Sequence, residues 1–223
     1  MPNKQYNLLV VAHPDDESIF FTGLLLKKQK SPWKIICVTD ANADGQGLKR
    51  YEQFRAAMKL LKISDFMFWN FPDIYEKRLP VHTLAAKLKA LPKPKEVYTH
   101  GIIGEYGHPH HQDISMACHY VFKNVFSVAY NCFPDFSVAL TKREYEIKTK
   151  ILSQIYQEET RRFANFLPAQ FTEGFVKIST LEAKNIYDFL TLGTEPPLKN
   201  LKKYKWYWPY LQAQKLKALP RPF

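Results

Sequence analysis

Short apolar runs alternate along the chain with longer stretches in which apolar positions recur every three or four residues. Runs at residues 6–12, 33–39, 66–71, 96–100 and 125–131 have the length and the β-branched or aromatic content of buried strands. Between them, residues 18–30 predict a helix with an apolar face at Ile19, Phe20, Leu24 and Leu25. Residues 49–62 predict another, with Phe54, Ala57, Met58 and Leu61 on one side, and residues 81–91 and 114–122 predict two more. Segment 40–47 (DANADGQG) is polar and contains glycine, as a loop does, and a glycine-rich loop runs from residue 101 to His111. This alternation predicts an α/β, Rossmann-like fold: a mostly parallel sheet with helices on both faces and a C-terminal extension. From Thr141 the pattern changes to one long charged helix over 142–159 and then short pieces. No linker rich in serine or glycine divides the chain. The expected organisation is a Rossmann-like domain at 1–140, with a helical and basic-aromatic extension at 141–223 packed on it.

Composition narrows the class. Apolar residues make up 46% and aromatics 15% of 223 residues, enough for a packed core. No apolar run approaches the ~20 residues of a membrane-spanning helix. The N-terminal run is too short to span and ends in His-Pro-Asp-Asp, so no secretory signal is expected. Cys37, Cys118 and Cys132 are odd in number and widely spaced, which fits a reducing cytoplasm better than a disulfide framework or a thiolate zinc site. The formal charge of +11 is uneven: seven Lys and Arg and no acid follow Glu195, and the body carries the remaining +4.

Two short motifs carry the chemistry. The first strand ends in Ala12-His13-Pro14-Asp15-Asp16-Glu17. A helix start with capping carboxylates explains the proline and one acid. Three consecutive acids after a histidine are better explained by a cation that relieves their repulsion. His13 and Asp16 are close enough in a turn to share a metal, and Asp15 between them is free to face water as a base. The second motif, Gly107-His108-Pro109-His110-His111, follows the fourth strand and offers imidazoles. With a strand order of 3-2-1-4-5, both motifs open onto one crevice at the carboxyl edge of the sheet. Two histidines and one carboxylate with open positions make a catalytic zinc site, and iron(II) suits the same donors. His100 reads as a packing histidine, Asp73 as a turn residue, and Asp40, Asn42, Asp44 and Gln46 as a polar rim for sugar hydroxyls. Tyr106 reads equally as a substrate contact or an aromatic lid.

These residues resemble the PIG-L/LmbE-type metal-dependent de-N-acetylases, with support from Val38-Thr39 and from residues 50–57 (RYEQFRAA). The resemblance covers roughly residues 6–115. It implies Zn²⁺, or Fe²⁺ or another divalent ion, held by His13, Asp16 and His111. It further implies Asp15 as general base, His108 as oxyanion stabiliser or acid, and Arg50 as a substrate-binding residue. The implied reaction is removal of acetyl from an N-acetylglucosamine-type conjugate, a small molecule. An amidase acting on another sugar-conjugate amide is the rival enzyme, and a glycan- or lipid-binding protein of the same fold is the rival without catalysis. His110 stands where many relatives of that family carry Asp.

The tail segment 204–210 (YKWYWPY) has two readings. Its aromatics pack on the body with lysines outward, which is the expected arrangement. The alternative is an interfacial patch for a membrane or another anionic surface. No nucleic-acid module is recognisable.

Overall fold

The computed structural model describes residues 5–74, 77–130, 132–161, 169–192 and 203–209. Its sheet has seven strands in the order β3-β2-β1-β4-β5-β7-β6. The strands are β1 (Asn7–Val11), β2 (Trp33–Thr39), β3 (Phe66–Phe71), β4 (Glu96–Thr99), β5 (Val125–Val128), β6 (Phe136–Ala139) and β7 (Thr172–Val176). The first five are parallel, and β7 runs antiparallel to both β5 and β6.

β1 is apolar throughout, apart from Asn7, because both faces of the sheet are covered. Leu9 and Val11 point to a core shared with Phe21, Leu24, Leu25, Ile35, Phe54, Met58 and Phe175. Leu8 and Val10 point the other way, to Ile36, Val38, Leu84, Leu88, Ile114 and Ala117. The first core brings in α1 (Asp16–Lys27), α2 (Gly47–Leu61) and α5 (Lys142–Lys150); the second brings in α3 (Val81–Lys89) and α4 (Pro109–Val121). β1 lies between β2 and β4, with which it pairs in parallel. The chain leaves β1 toward β2 and β3, and later returns to its other side as β4. The loops after β1 and β4 therefore splay apart and leave a crevice at the carboxyl edge.

The structure departs from the sequence reading in four places. The strand expected at 125–131 ends at Val128, and Asn131 lies outside the described residues. α4 begins at Pro109 rather than Ile114: proline suits the first helical turn, and the His108 side chain caps it by accepting from the His110 N–H. The helix expected at 142–159 is three pieces: α5, a π-turn at Ile151–Ile155, and α6 (Gln157–Arg161). The Tyr156 N–H reaches back five residues to the Ile151 carbonyl, and that extra residue lets Ile151, Leu152 and Tyr156 all be buried. Finally, β6 stands where no element was expected, β7 and α7 (Thr180–Leu192) stand where only short pieces were, and β7 inserts between β5 and β6.

β7 is tied to α5 by a buried ion pair and to α1 by hydrogen bonds to the same glutamate. Lys148 Nζ on α5 stands 2.7 Å from Glu173 Oε1 on β7, and both side chains are almost fully buried. Glu173 also accepts from the Gly23 and Leu24 N–H groups at 2.9 Å each. In the tail, Tyr207 is buried with Ile102, Ile103, Met116, Val176 and Ile186, while Lys203 and Lys205 are exposed. Tyr210, Lys199, Lys202, Lys215, Lys217 and Arg221 lie outside the described residues. Among the described residues, no helix is long and apolar enough to cross a membrane.

Candidate metal centre

The first motif turns sharply out of β1. Asp15 has φ 107°, a conformation that costs a non-glycine residue about 1–3 kcal/mol. The turn is held from several sides. The Asp15 N–H donates to Glu17 Oε2 at 3.0 Å, and its carbonyl accepts from Ser18 and Ile19 at 2.8 Å each. The His13 N–H donates to Asp16 Oδ2 at 2.8 Å. Glu17 points inward, where Ser18 and Tyr156 hydroxyls donate to it; burial nevertheless pushes its carboxyl up to about 7. Of three consecutive acids, one thus serves the interior and two face the crevice.

The second motif is brought opposite by the turn after β4. Gly104 has φ 75°, and a Cβ there would stand 2.5 Å from the His108 carbonyl oxygen. Its own carbonyl accepts from Gly107 and His108. This tight turn sets His108 at the N-cap of α4 and puts His110 and His111 in the first helical turn.

Donor groups among the described residues, with ligand atoms within 4.8 Å of one another, include His13/Asp16/His111, His13/His108/His110 and His100/Glu105/His111. Two ligands of one tetrahedral zinc lie roughly 3.3 Å apart at bond lengths of 2.0–2.1 Å. In the first group, His111 Nε2 is 3.4 Å from Asp16 Oδ1, and His13 Nδ1 is 3.5 Å from Asp16 Oδ2. In the last group, His111 Nδ1 and Glu105 Oε2 are only 2.5 Å apart, a hydrogen-bond distance. That bond puts a proton on Nδ1 and leaves the lone pair of Nε2, a buried atom with no hydrogen bond, toward Asp16. A carboxylate behind a histidine whose other nitrogen is orphaned is the arrangement that orients a metal-ligating imidazole. Burial opposes the charge on Asp16, but His111 and His100 beside it hold its carboxyl well below the usual range, ready to ligate. The donor set therefore fits a divalent cation.

Asp15 stands outside that set. Burial pushes its carboxyl well above the usual value, with Arg50 opposing. The Arg50 guanidinium is 3.2 Å from Asp15 Oδ2, donates to the Pro14 carbonyl, and is 2.8 Å from Glu159 Oε2 on α6. It is neither a solvated arginine nor paired with Glu52, which binds Arg55 instead. His108 is pushed well below the usual imidazole range, first by burial and then by the neighbouring histidines. Its Nδ1 accepts from the His110 N–H, so the neutral ring carries its proton on Nε2.

Three residues reach the site without having been singled out for it. His100 is fully buried and stacks on His111 with ring centroids 3.7 Å apart; its Nε2 accepts the Ala12 N–H at 3.0 Å, which spends that lone pair on backbone. Glu105 backs His111, and its sequence signal was only its place inside the histidine loop. Asp73 Oδ1, expected in a plain turn, is 3.5 Å from His13 Nε2. Asp40, Asn42 and Asp44 each accept from a nearby backbone N–H group. Tyr106 is 68% exposed, with its ring 6.0 Å from that of His108.

Because Arg50 holds Asp15, Arg50→Ala is expected to lower turnover by about 10–100-fold, matching the ~1.5–3 kcal/mol of a charged hydrogen bond. It should also lower the melting temperature, since Asp15 and Glu159 are left without their shared cation. Unchanged turnover with a lowered melting temperature would show that Asp15 is held by its backbone alone.

Residues 8–122 match the family PIG-L: GlcNAc-PI de-N-acetylase. An uncharacterized protein of Acanthamoeba polyphaga mimivirus, L374, is 28% identical over 179 residues, covering 71% of this chain and 75% of that protein. The structure resembles N,N'-diacetylchitobiose deacetylase from Pyrococcus horikoshii (TM-score 0.60, 18% identity, 80% of this chain and 85% of that one). It also resembles a deacetylase of the teicoplanin biosynthesis pathway (TM-score 0.57, 15% identity, 77% of this chain and 98% of that one). At such identities these two structures speak for the fold.

Proposed function

The chain belongs to the PIG-L family, and from that premise we propose that it is a zinc-dependent hydrolase that removes acetyl from an N-acetylated amino sugar of the N-acetylglucosamine type. The observation that carries this reading is the pairing of a three-donor set, His13, Asp16 and His111, with a carboxylate, Asp15, that the set does not use. A pure binding site has no need of that spare base. The substrate class rests on the family description and on the sugar conjugates that the names of the two structural neighbours imply.

A divalent ion in the site supplies a Lewis acid that polarises an amide carbonyl and lowers the pKa of water to about 7. Asp15 takes the proton of the attacking water, with Arg50 fixing the carboxylate at 3.2 Å. Glu105 holds the His111 ring in register. His108 donates its Nε2–H to the oxygen on which charge develops, and a neutral ring at a helix N-terminus suits that role. Arg50 contributes to substrate binding by shaping this wall of the crevice. The three free cysteines support work in a reducing compartment such as the cytoplasm.

The test is a panel of N-acetylated sugars and other sugar-conjugate amides, assayed for free amine and acetate. Acetate release that stops on treatment with a chelator and returns with zinc is expected. Amine released without acetate from a different amide would replace the deacetylase with an amidase.

A further inference from the structure

Asp73 and His110 close a second triangle of donor atoms on the far side of His13. The His13 ring turns Nδ1 toward Asp16 and Nε2 away from it. Nε2 stands 3.2 Å from His110 Nδ1 and 3.5 Å from Asp73 Oδ1, and those two atoms are themselves 3.5 Å apart. A triangle with such edges has its centre about 2 Å from every corner, which is the length of a zinc–nitrogen or zinc–oxygen bond.

The corners are set for a cation. His110 Nε2 donates to the Lys77 carbonyl at 2.8 Å, so Nδ1 keeps its lone pair for the triangle. The Asp73 N–H donates to Asp40 Oδ1 at 2.9 Å, which anchors the loop that carries the carboxylate. A single proton on His13 Nε2 can point at only one of the two acceptors at a time. One cation serves all three atoms. The side chains of His13 and Asp73 keep 13% and 14% exposure, which gives an ion a way in.

We propose that His13 Nε2, His110 Nδ1 and Asp73 Oδ1 form a second divalent-cation site of zinc type beside the proposed catalytic one, with His13 as the shared imidazole. The proposal rests on the catalytic-site reading only for that sharing. When both sites fill, His13 gives up its remaining ring proton to solvent and its two nitrogens bridge the two ions.

Zinc bound by the metal-stripped full chain, counted by equilibrium dialysis with elemental analysis, tests this. Two ions per chain are expected in the parent protein, and one in Asp73→Asn and in His110→Phe. His111→Ala, or Asp16→Asn should that variant lose its native circular dichroism, is expected to hold one ion as well. A single ion in the parent that survives both Asp73→Asn and His110→Phe but is lost in His111→Ala overturns the second site and leaves the catalytic one standing. A single ion that is lost in Asp73→Asn and kept in His111→Ala upholds the second site and removes the first.

Discussion

Asp15→Asn, loaded with zinc, is expected to retain its ion and its fold and to lose turnover by about 10²–10⁴-fold. The amide has the shape of the carboxylate and still sits beside Arg50, so the turn that presents His13 and Asp16 is kept. What it lacks is a basic oxygen for the proton of the attacking water. The ligand set is untouched, because Asp15 belongs to none of the donor groups in the site. Steady-state kinetics beside metal analysis of the same preparation decides the matter. Full turnover in a metal-loaded Asp15→Asn protein would remove Asp15 as the base and with it the proposed mechanism.

The largest effect on stability is expected at the other end of α1. Lys148 and Glu173 are buried together, and burial pulls the lysine down and pushes the glutamate up, against their mutual attraction. Lys148→Met strands a carboxylate in the interior with only the Gly23 and Leu24 amides for partners. Breaking a buried pair on one side costs about 3–5 kcal/mol. For a chain of this size that lowers Tm by about 10 °C. The double variant Lys148→Met/Glu173→Leu is expected to recover most of the loss, since an apolar pair of similar volume replaces the ions without leaving either unpaired. Additive losses, with no recovery in the double variant, would show that the pair is not coupled and that Glu173 acts through the α1 amides alone. The pair matters to function by position: Glu173, held by Lys148, also accepts from two amides of the helix whose first residue is Asp16.

The sequence by itself determined the parallel half of the fold and the place of the chemistry. Unbroken apolar strands such as residues 7–11, each followed by an amphipathic helix, leave few arrangements other than a sheet covered on both faces. The strand order around β1 then follows from the rules of crossover connection, and the two His-bearing motifs fall on the same edge. A run of three acids after a histidine, and three histidines in four positions, are local features whose cost without a cation is visible in one dimension.

What only the tertiary structure decided is everything that depends on partners distant in the chain. β6 and β7 are short, and β7 earns its place by pairing with strands on both sides rather than by its own pattern. The break of the 142–159 helix into three pieces follows from the core it covers, since propensity alone reads straight through Ile151–Ile155. At the site, the sequence offered Arg50 no visible partner, and the fold sets its charge between Asp15 and Glu159, which is 109 positions further along. Glu105, His100 and Asp73 carry no motif of their own. Glu105 and Asp73 acquire their roles from one atom placed about 2.5–3.5 Å from a histidine, and His100 from its ring stacked on His111, through the packing of β1 against β4 and of the β3–α3 loop against α4. A side chain's type is written in the sequence, but which lone pair it turns toward a neighbour, and hence what it can hold, is settled by three-dimensional contact.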